Sequence, residues 1–204
     1  MNQCCAIIVL AKAPVAGLAK TRLIPALGAQ GAARLAQRML DETLAAATEA
    51  DVGPVILCCT PDIDHPAFTS AARRYGVVST EQGGGDLGAR MHRALTTALQ
   101  GCAAAIVIGT DCPTLDAPHL RLAAQALQAA PAVFIPATDG GYVLAGLARP
   151  MPMLFESIAW STDVVMAQTR ERLAQIGVVA AELSPMQDID LPADLIHLPR
   201  EWLD

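Results

Sequence analysis

The chain has 204 residues, 53% of them hydrophobic and 17% charged, with a formal net charge of −6. That length and apolar fraction suit one packed domain and exclude a disordered chain, and the negative balance excludes a general surface for nucleic acid or anionic membrane. No apolar run reaches the ~18 residues of a membrane-spanning helix, and the opening CCAIIVLA lacks the basic flank of a signal peptide, so the chain reads as cytoplasmic. With 3% aromatic residues, the core must be mostly Ala, Val, Leu and Ile. Cys4, Cys5, Cys58, Cys59, Cys102 and Cys112 show no C-x-x-C or zinc spacing and read as small buried hydrophobes of a reducing compartment.

Strand-like and helix-like segments alternate along the chain. The run 4–10 is a short β-branched strand. The pairs Leu35/Met39 and Leu40/Leu44 predict a helix over 31–50. A strand over 54–59 stops at Thr60-Pro61, a short helix spans 67–76, and 77–80 makes a third strand. A glycine-rich loop precedes a helix over 88–100. AAAIVIG (103–109) is the clearest buried strand, and the helix after it spans 117–130 with Asp116 as its cap. Strands follow at 132–137 and 140–147. Thr162 and Asp163 predict the cap of a helix ending at Gly177, and 178–183 is a last strand.

This alternation predicts an α/β fold: a single three-layer domain over 1–204 with a mostly parallel sheet. The consecutive strands at 132–147 break the alternation and predict some antiparallel pairing.

The chain's only two lysines, Lys12 and Lys20, fall in one loop after the first strand, with Arg22 beside them. In a parallel α/β sheet ligands bind at the carboxyl ends of the strands, so these cations stand where a phosphate chain would dock. Gly17 frees backbone N–H groups there, and Thr21 adds a hydroxyl. The segment is no P-loop: Lys20-Thr21 supplies the last two letters of G-x-x-x-x-G-K-[ST], but Pro14 and Ala19 stand where the glycines belong.

Asp111 lies just past the buried strand at 103–109, where a carboxylate can hold Mg²⁺ or Mn²⁺ through oxygen. QDIDLPADL offers Asp188, Asp190 and Asp194; Asp190 reads as a loop residue and Asp194 as a cap. Gly83, Gly85 and Gly88 spell G-x-G-x-x-G, with Asp111 23 residues on. A dinucleotide-binding oxidoreductase is therefore an alternative, weakened by the feeble lead strand and by the unexplained basic loop. In the preferred reading Gln82 and these glycines let backbone approach a nucleobase or ribose. Trp160 reads as packing ahead of a cap, and His65, His92, His119 and His197 carry no catalytic spacing.

Six motifs occur in order: KAPVAGLAKTRL, GDLGARM, GTDCPTL, DGGYVLAGL, FESIAWST and DIDLPADL. Across about residues 6–196 the chain resembles the bacterial glycosyltransferase-A-like family of selenodomain-associated transferases. It is more distantly similar to phospholactate guanylyltransferase and molybdenum cofactor guanylyltransferase. The resemblance implies a nucleotide-diphospho-sugar transferase (GT-A) fold. It places Lys12, Lys20 and Arg22 in a phosphate loop, Asp111 and Asp190 on the metal, and Asp139, Gly140, Gly141 and Tyr142 at the acceptor or sugar pocket. Asp111 is followed by Cys112-Pro113, so a strict D-x-D is absent, as is a glycine cluster after the first strand. The implied activity is glycosyl or nucleotidyl transfer from a nucleotide or nucleotide-sugar donor to a small acceptor, with Lys20, Arg22 and Asp111 catalytic. A non-catalytic nucleotide-binding module is the reading from outside the enzymes.

Overall fold

The first strand, β1 (Cys5–Lys12), has no polar face until its end. Cys5, Ile7, Val9 and Ala11 enter one hydrophobic cluster, whereas Ala6 and Ile8 enter another on the opposite side of the sheet. A strand buried on both faces needs helices above and below, and the computed structural model of the chain, which describes residues 4–203, supplies them. The other strands are β2 (Val55–Thr60), β3 (Val78–Glu81), β4 (Ala104–Ile108), β5 (Ala132–Pro136), β6 (Tyr142–Leu147) and β7 (Ala181–Glu182). The helices are α1 (Ile24–Ala50), α2 (Pro66–Tyr75), α3 (Leu87–Ala98), α4 (Ala117–Ala126) and α5 (Val165–Gln175). Helices α1, α2 and α4 bury Leu40, Leu44, Phe68 and Leu120 against one face; α3 and α5 bury Met91, Leu95, Met166 and Leu173 against the other.

The seven strands form one sheet in the order β3-β2-β1-β4-β6-β5-β7. Only β6 runs against its neighbours, so the antiparallel pairing expected over 132–147 is present. Among the described residues no helix is long and apolar enough to cross a membrane.

Four local features differ from the sequence reading. Helix α1 begins at Ile24 rather than residue 31, because Pro25 suits a first turn; Gly28 (φ 67°) then kinks it. Strand β7 keeps only two residues, with Val179 84% exposed before it. The residue before α5 is Val164; Thr162 instead donates its hydroxyl to the Ala159 carbonyl at 2.6 Å. Finally, Cys4 and Cys102 are joined as a disulfide, while Cys5, Cys58, Cys59 and Cys112 are buried thiols. Spacing could not reveal that pair: the two residues are 98 apart and meet because β1 and β4 are neighbours, with Cys5 opposite Ala104. Denatured without reductant, the protein is expected to yield four titratable thiols, rising to six after reduction. Six before reduction would show that Cys4 and Cys102 are not joined.

Candidate active site

Strand β1 has β2 on one side and β4 on the other, and the connections after β1 and β4 leave in different directions. A crevice opens at such a point, beyond the carboxyl ends of the strands. Here it has a volume of about 590 Å³, the size of a small-molecule site.

The loop after β1 is anchored by buried Ala13, Ala19 and Leu23. The N–H groups of Leu18 and Ala19 both donate to the Val15 carbonyl, and Gly17 (φ 83°) makes the turn possible. Lys20 itself is left-handed (φ 46°), which turns its side chain into the crevice. Its ammonium lies 2.7 Å from Asp111 Oδ1 and 3.2 Å from Asp190 Oδ1, and it donates to the Ile189 carbonyl. Burial alone would make this ammonium easier to deprotonate; the carboxylates of Asp111 and Asp190 override it and hold its pKa above the ordinary lysine value. Arg22 is more open, 3.7 Å from Asp190 Oδ2.

The distant carboxylates arrive by two backbone registers. Ile189 is fully buried beside Leu23, Leu35 and Met39, and its N–H donates to the Asp111 carbonyl at 2.8 Å. Asp188 and Asp190, on either side of it, line the crevice. Strand β5 continues as a bridge between Ala137 and Met186, which carries Asp139 alongside Asp188. Asp194 caps this loop, accepting from the N–H groups of Asp190 and Leu191. One carboxylate oxygen from each of Asp139, Asp188 and Asp190 lies within 4.8 Å of the others. Burial, then the charges of Asp139, Asp190 and Asp111, push the Asp188 carboxyl up to about 6.

The Lys20 ammonium contacts both Asp111 and Asp190, the two carboxylates expected on a metal. Asp111 is a partner of Lys20, and the cluster of oxygens is Asp139, Asp188 and Asp190. Asp188 was visible in the sequence, but nothing there gave it a role beside Asp190. Four cations (Lys12, Lys20, Arg22, Arg90) and four carboxylates (Asp111, Asp139, Asp188, Asp190) line the crevice. Its formal charges therefore balance.

The glycine-rich segment plays a different part from the one expected. Gly83 and Gly85 take positive φ in a turn outside the crevice lining. Gly88 is buried, and a Cβ there would meet the Trp160 ring at 2.5 Å. With β3 an edge strand of four residues, the triplet builds a turn and a packing contact rather than a dinucleotide loop. Gln82 lines the crevice, and its amide donates to the carbonyls of Ala11 (3.1 Å) and Cys58 (3.0 Å). Lys12, Thr21, Gly141 and Tyr142 also line the crevice; Gly17 and Gly140 do not. The Tyr142 hydroxyl points to Met91 Sδ (3.9 Å), and its ring packs edge-on to Phe134 and Trp160. Arg90, one turn into α3, was missed. The signal was its place four residues after the capping Asp86, which turns it back toward the strand ends.

Among solved structures, the chain is similar to a protein from Desulfovibrio desulfuricans G20 provisionally named a nucleotide-diphospho-sugar transferase. The identity is 27% and the TM-score 0.86, over 96% of this chain and 87% of the other. A cytidylyltransferase from Leptospira borgpetersenii serovar Hardjo-bovis is 13% identical, with TM-score 0.59 over 99% of this chain and 90% of its own. Glucosyl-3-phosphoglycerate synthase from Mycobacterium tuberculosis, solved with Mn²⁺ and UDP, is 10% identical, with TM-score 0.58 over 96% of this chain and 75% of its own. These likenesses give a GT-A-like fold, as the motifs implied. No curated protein matches the sequence. The family profile described as "Uncharacterized protein conserved in bacteria (DUF2064)" matches residues 43–162, more than half of the chain, and the protein belongs to that family.

Proposed function

We propose that this protein is a metal-dependent transferase acting on a nucleotide or nucleotide-sugar donor, passing a nucleotidyl or glycosyl group to a small acceptor. One observation carries the reading. At the crevice of a GT-A-like sheet, an oxygen-only trio (Asp139, Asp188, Asp190) lies beside a buried, charge-paired Lys20. Three carboxylates with mutually close oxygens suit a hard divalent ion such as Mg²⁺ or Mn²⁺. Burial first, and then repulsion from Asp139, Asp190 and Asp111, push the Asp188 carboxyl up, and such an ion would relieve the repulsion. When bound there, the ion supplies charge neutralisation for phosphate oxygens.

The chain's own groups do the rest. Asp111 and the Ile189 carbonyl hold the Lys20 ammonium in the crevice, where it meets developing phosphate charge by exchanging its Asp190 contact for a phosphate oxygen. Arg22, with its open guanidinium, follows the leaving phosphate. Gly141 and Tyr142 line the acceptor side of the crevice. Transfer then rests on positioning and electrostatics, without a covalent intermediate.

The test is a thermal-shift panel of nucleoside triphosphates, nucleoside diphosphates, nucleotide-sugars and dinucleotides, with Mg²⁺, Mn²⁺ or chelator. A ligand at a hundred times its Kd stabilises the native state by about 2.7 kcal/mol. A metal-dependent rise is expected with at least one nucleotide class and is expected to vanish in Asp188→Asn. Stabilisation by NADH in chelator, or nucleotide binding unchanged in Asp188→Asn, would count against the proposal.

A further inference from the structure

Charge in the crevice is compensated unevenly. Lys20 touches two carboxylates and Arg22 one, whereas Lys12 and Arg90 form no salt bridge among the described residues. Arg90 is held by neutral acceptors instead: its Nε donates to the Gly85 carbonyl (3.1 Å) and an Nη to Gln82 Oε1 (3.3 Å).

The Gln82 side chain has only one orientation that satisfies its surroundings. Both of its amide N–H groups go to backbone carbonyls, those of Ala11 and Cys58, so Oε1 must face Arg90. Its backbone is tied as well: the N–H donates to Cys59 at 2.9 Å, and the carbonyl accepts from Arg93. Gln82 is 6% exposed, with each polar group paired. A buried amide satisfied in this way is a rigid bracket. Its anchor on Ala11 sets that bracket beside Lys12, the next residue. Arg90 spends one of its five N–H groups on the bracket and one on the Gly85 carbonyl, and keeps the other three for a ligand.

We propose that Arg90 and Lys12 form an anion subsite for a phosphate group, separate from the Asp139, Asp188 and Asp190 oxygens, with Gln82 as its positioning residue. The proposal rests on the reading of this crevice as a phosphate-binding site. A planar guanidinium with no carboxylate partner is matched to a phosphate's paired oxygens, and Lys12, which lines the same crevice, adds positive charge. The phosphate belongs either to the donor or to a phosphorylated acceptor.

The probe is inorganic pyrophosphate in chelator, followed by calorimetry. Saturable binding is expected, weakened tenfold or more in Arg90→Gln. Arg90→Lys keeps the charge but not the fork and is expected to recover little of the loss. Gln82→Leu keeps Arg90 but removes the bracket and is expected to weaken binding to a similar degree, with its fold checked by melting. UDP with Mn²⁺ then separates the sources: competition with pyrophosphate assigns the subsite to the donor, and simultaneous binding assigns it to the acceptor. Equal binding of citrate, or pyrophosphate affinity unchanged in Arg90→Gln, overturns the subsite. If the native protein binds nucleotide with Mn²⁺ normally while Arg90→Gln changes nothing, only this subsite falls. If pyrophosphate behaves as expected but no nucleotide binds with metal, the transferase reading falls and the anion site remains.

Discussion

Lys20→Met is expected to be less stable than the native protein in chelator, to respond more strongly to Mn²⁺, and to be nearly inactive. The Lys20 side chain is 9% exposed, but its partners Asp111 and Asp190 are 49% and 36% exposed. Breaking a fully buried pair costs about 3–5 kcal/mol; with half-open partners that solvent can screen, about 2 kcal/mol is the better figure. For a chain of this size that corresponds to a Tm lower by roughly 4–8 °C. The two released carboxylates then face Asp139 and Asp188 with no ammonium between them. A divalent ion relieves four acids rather than compensating a paired set, so Mn²⁺ affinity is expected to rise about tenfold, equivalent to ~1.4 kcal/mol. Turnover moves the other way. Losing one preorganised charge contact costs about 3 kcal/mol of barrier, two to three powers of ten in rate. Melting curves with and without Mn²⁺ read the first two effects. Turnover within threefold of the native enzyme would remove Lys20 from the chemistry, and an unchanged Mn²⁺ response would show that the ammonium's charge does not act on the neighbouring carboxylate trio.

The parts of this site that could be read from sequence are those close to a strand's carboxyl end. Lys12, Lys20 and Asp111 each follow a recognisable strand, so an α/β fold alone places them at one edge. The continuous apolar runs of β1 and β4 mark those strands plainly, and the consecutive strands at 132–147 foretell the reversed β6. What could not be read is pairing between distant segments. Lys20 and Asp190 are 170 residues apart, and they meet through the burial of Ile189 and its bond to Asp111, which no periodicity encodes. Gln82 is a second case: the sequence set it beside glycines where backbone could approach a base, and it gave no sign that its amide joins two strand ends and that its oxygen accepts from Arg90. The disulfide is also a long-range meeting, made here by the pairing of β1 and β4, which brings together residues 98 apart in the chain.

Gly140→Ala is expected to be the most destabilising single substitution around the crevice, and to cost metal binding as well. Gly140 has φ 94°, and a Cβ built there falls on the Asp163 backbone, against its carbonyl oxygen and 2.6 Å from its carbonyl carbon. The turn cannot swing aside. The Gly140 N–H donates to the Ala137 carbonyl at 3.2 Å, and its own carbonyl accepts from Met166 at 2.8 Å, which docks the start of α5. The left-handed backbone alone costs an alanine about 1–2 kcal/mol, and displacing packed backbone brings the total to roughly 3 kcal/mol or more. That lowers Tm by about 6–12 °C. Gly17→Ala is the control: φ is 83°, but nothing lies within 4 Å of its Cβ, so only the backbone term of about 1 kcal/mol applies. The functional consequence follows from position. Asp139 is the preceding residue, its carboxylate fixed by the Gly141 N–H at 2.9 Å and grouped with Asp188 and Asp190. Moving the turn moves one of three oxygens, so Mn²⁺-dependent stabilisation is expected to weaken at least tenfold in Gly140→Ala and to persist in Gly17→Ala. Equal losses in the two variants would mean that the Asp163 contact does not govern the turn, and a full Mn²⁺ response in a destabilised Gly140→Ala would take Asp139 out of the metal site.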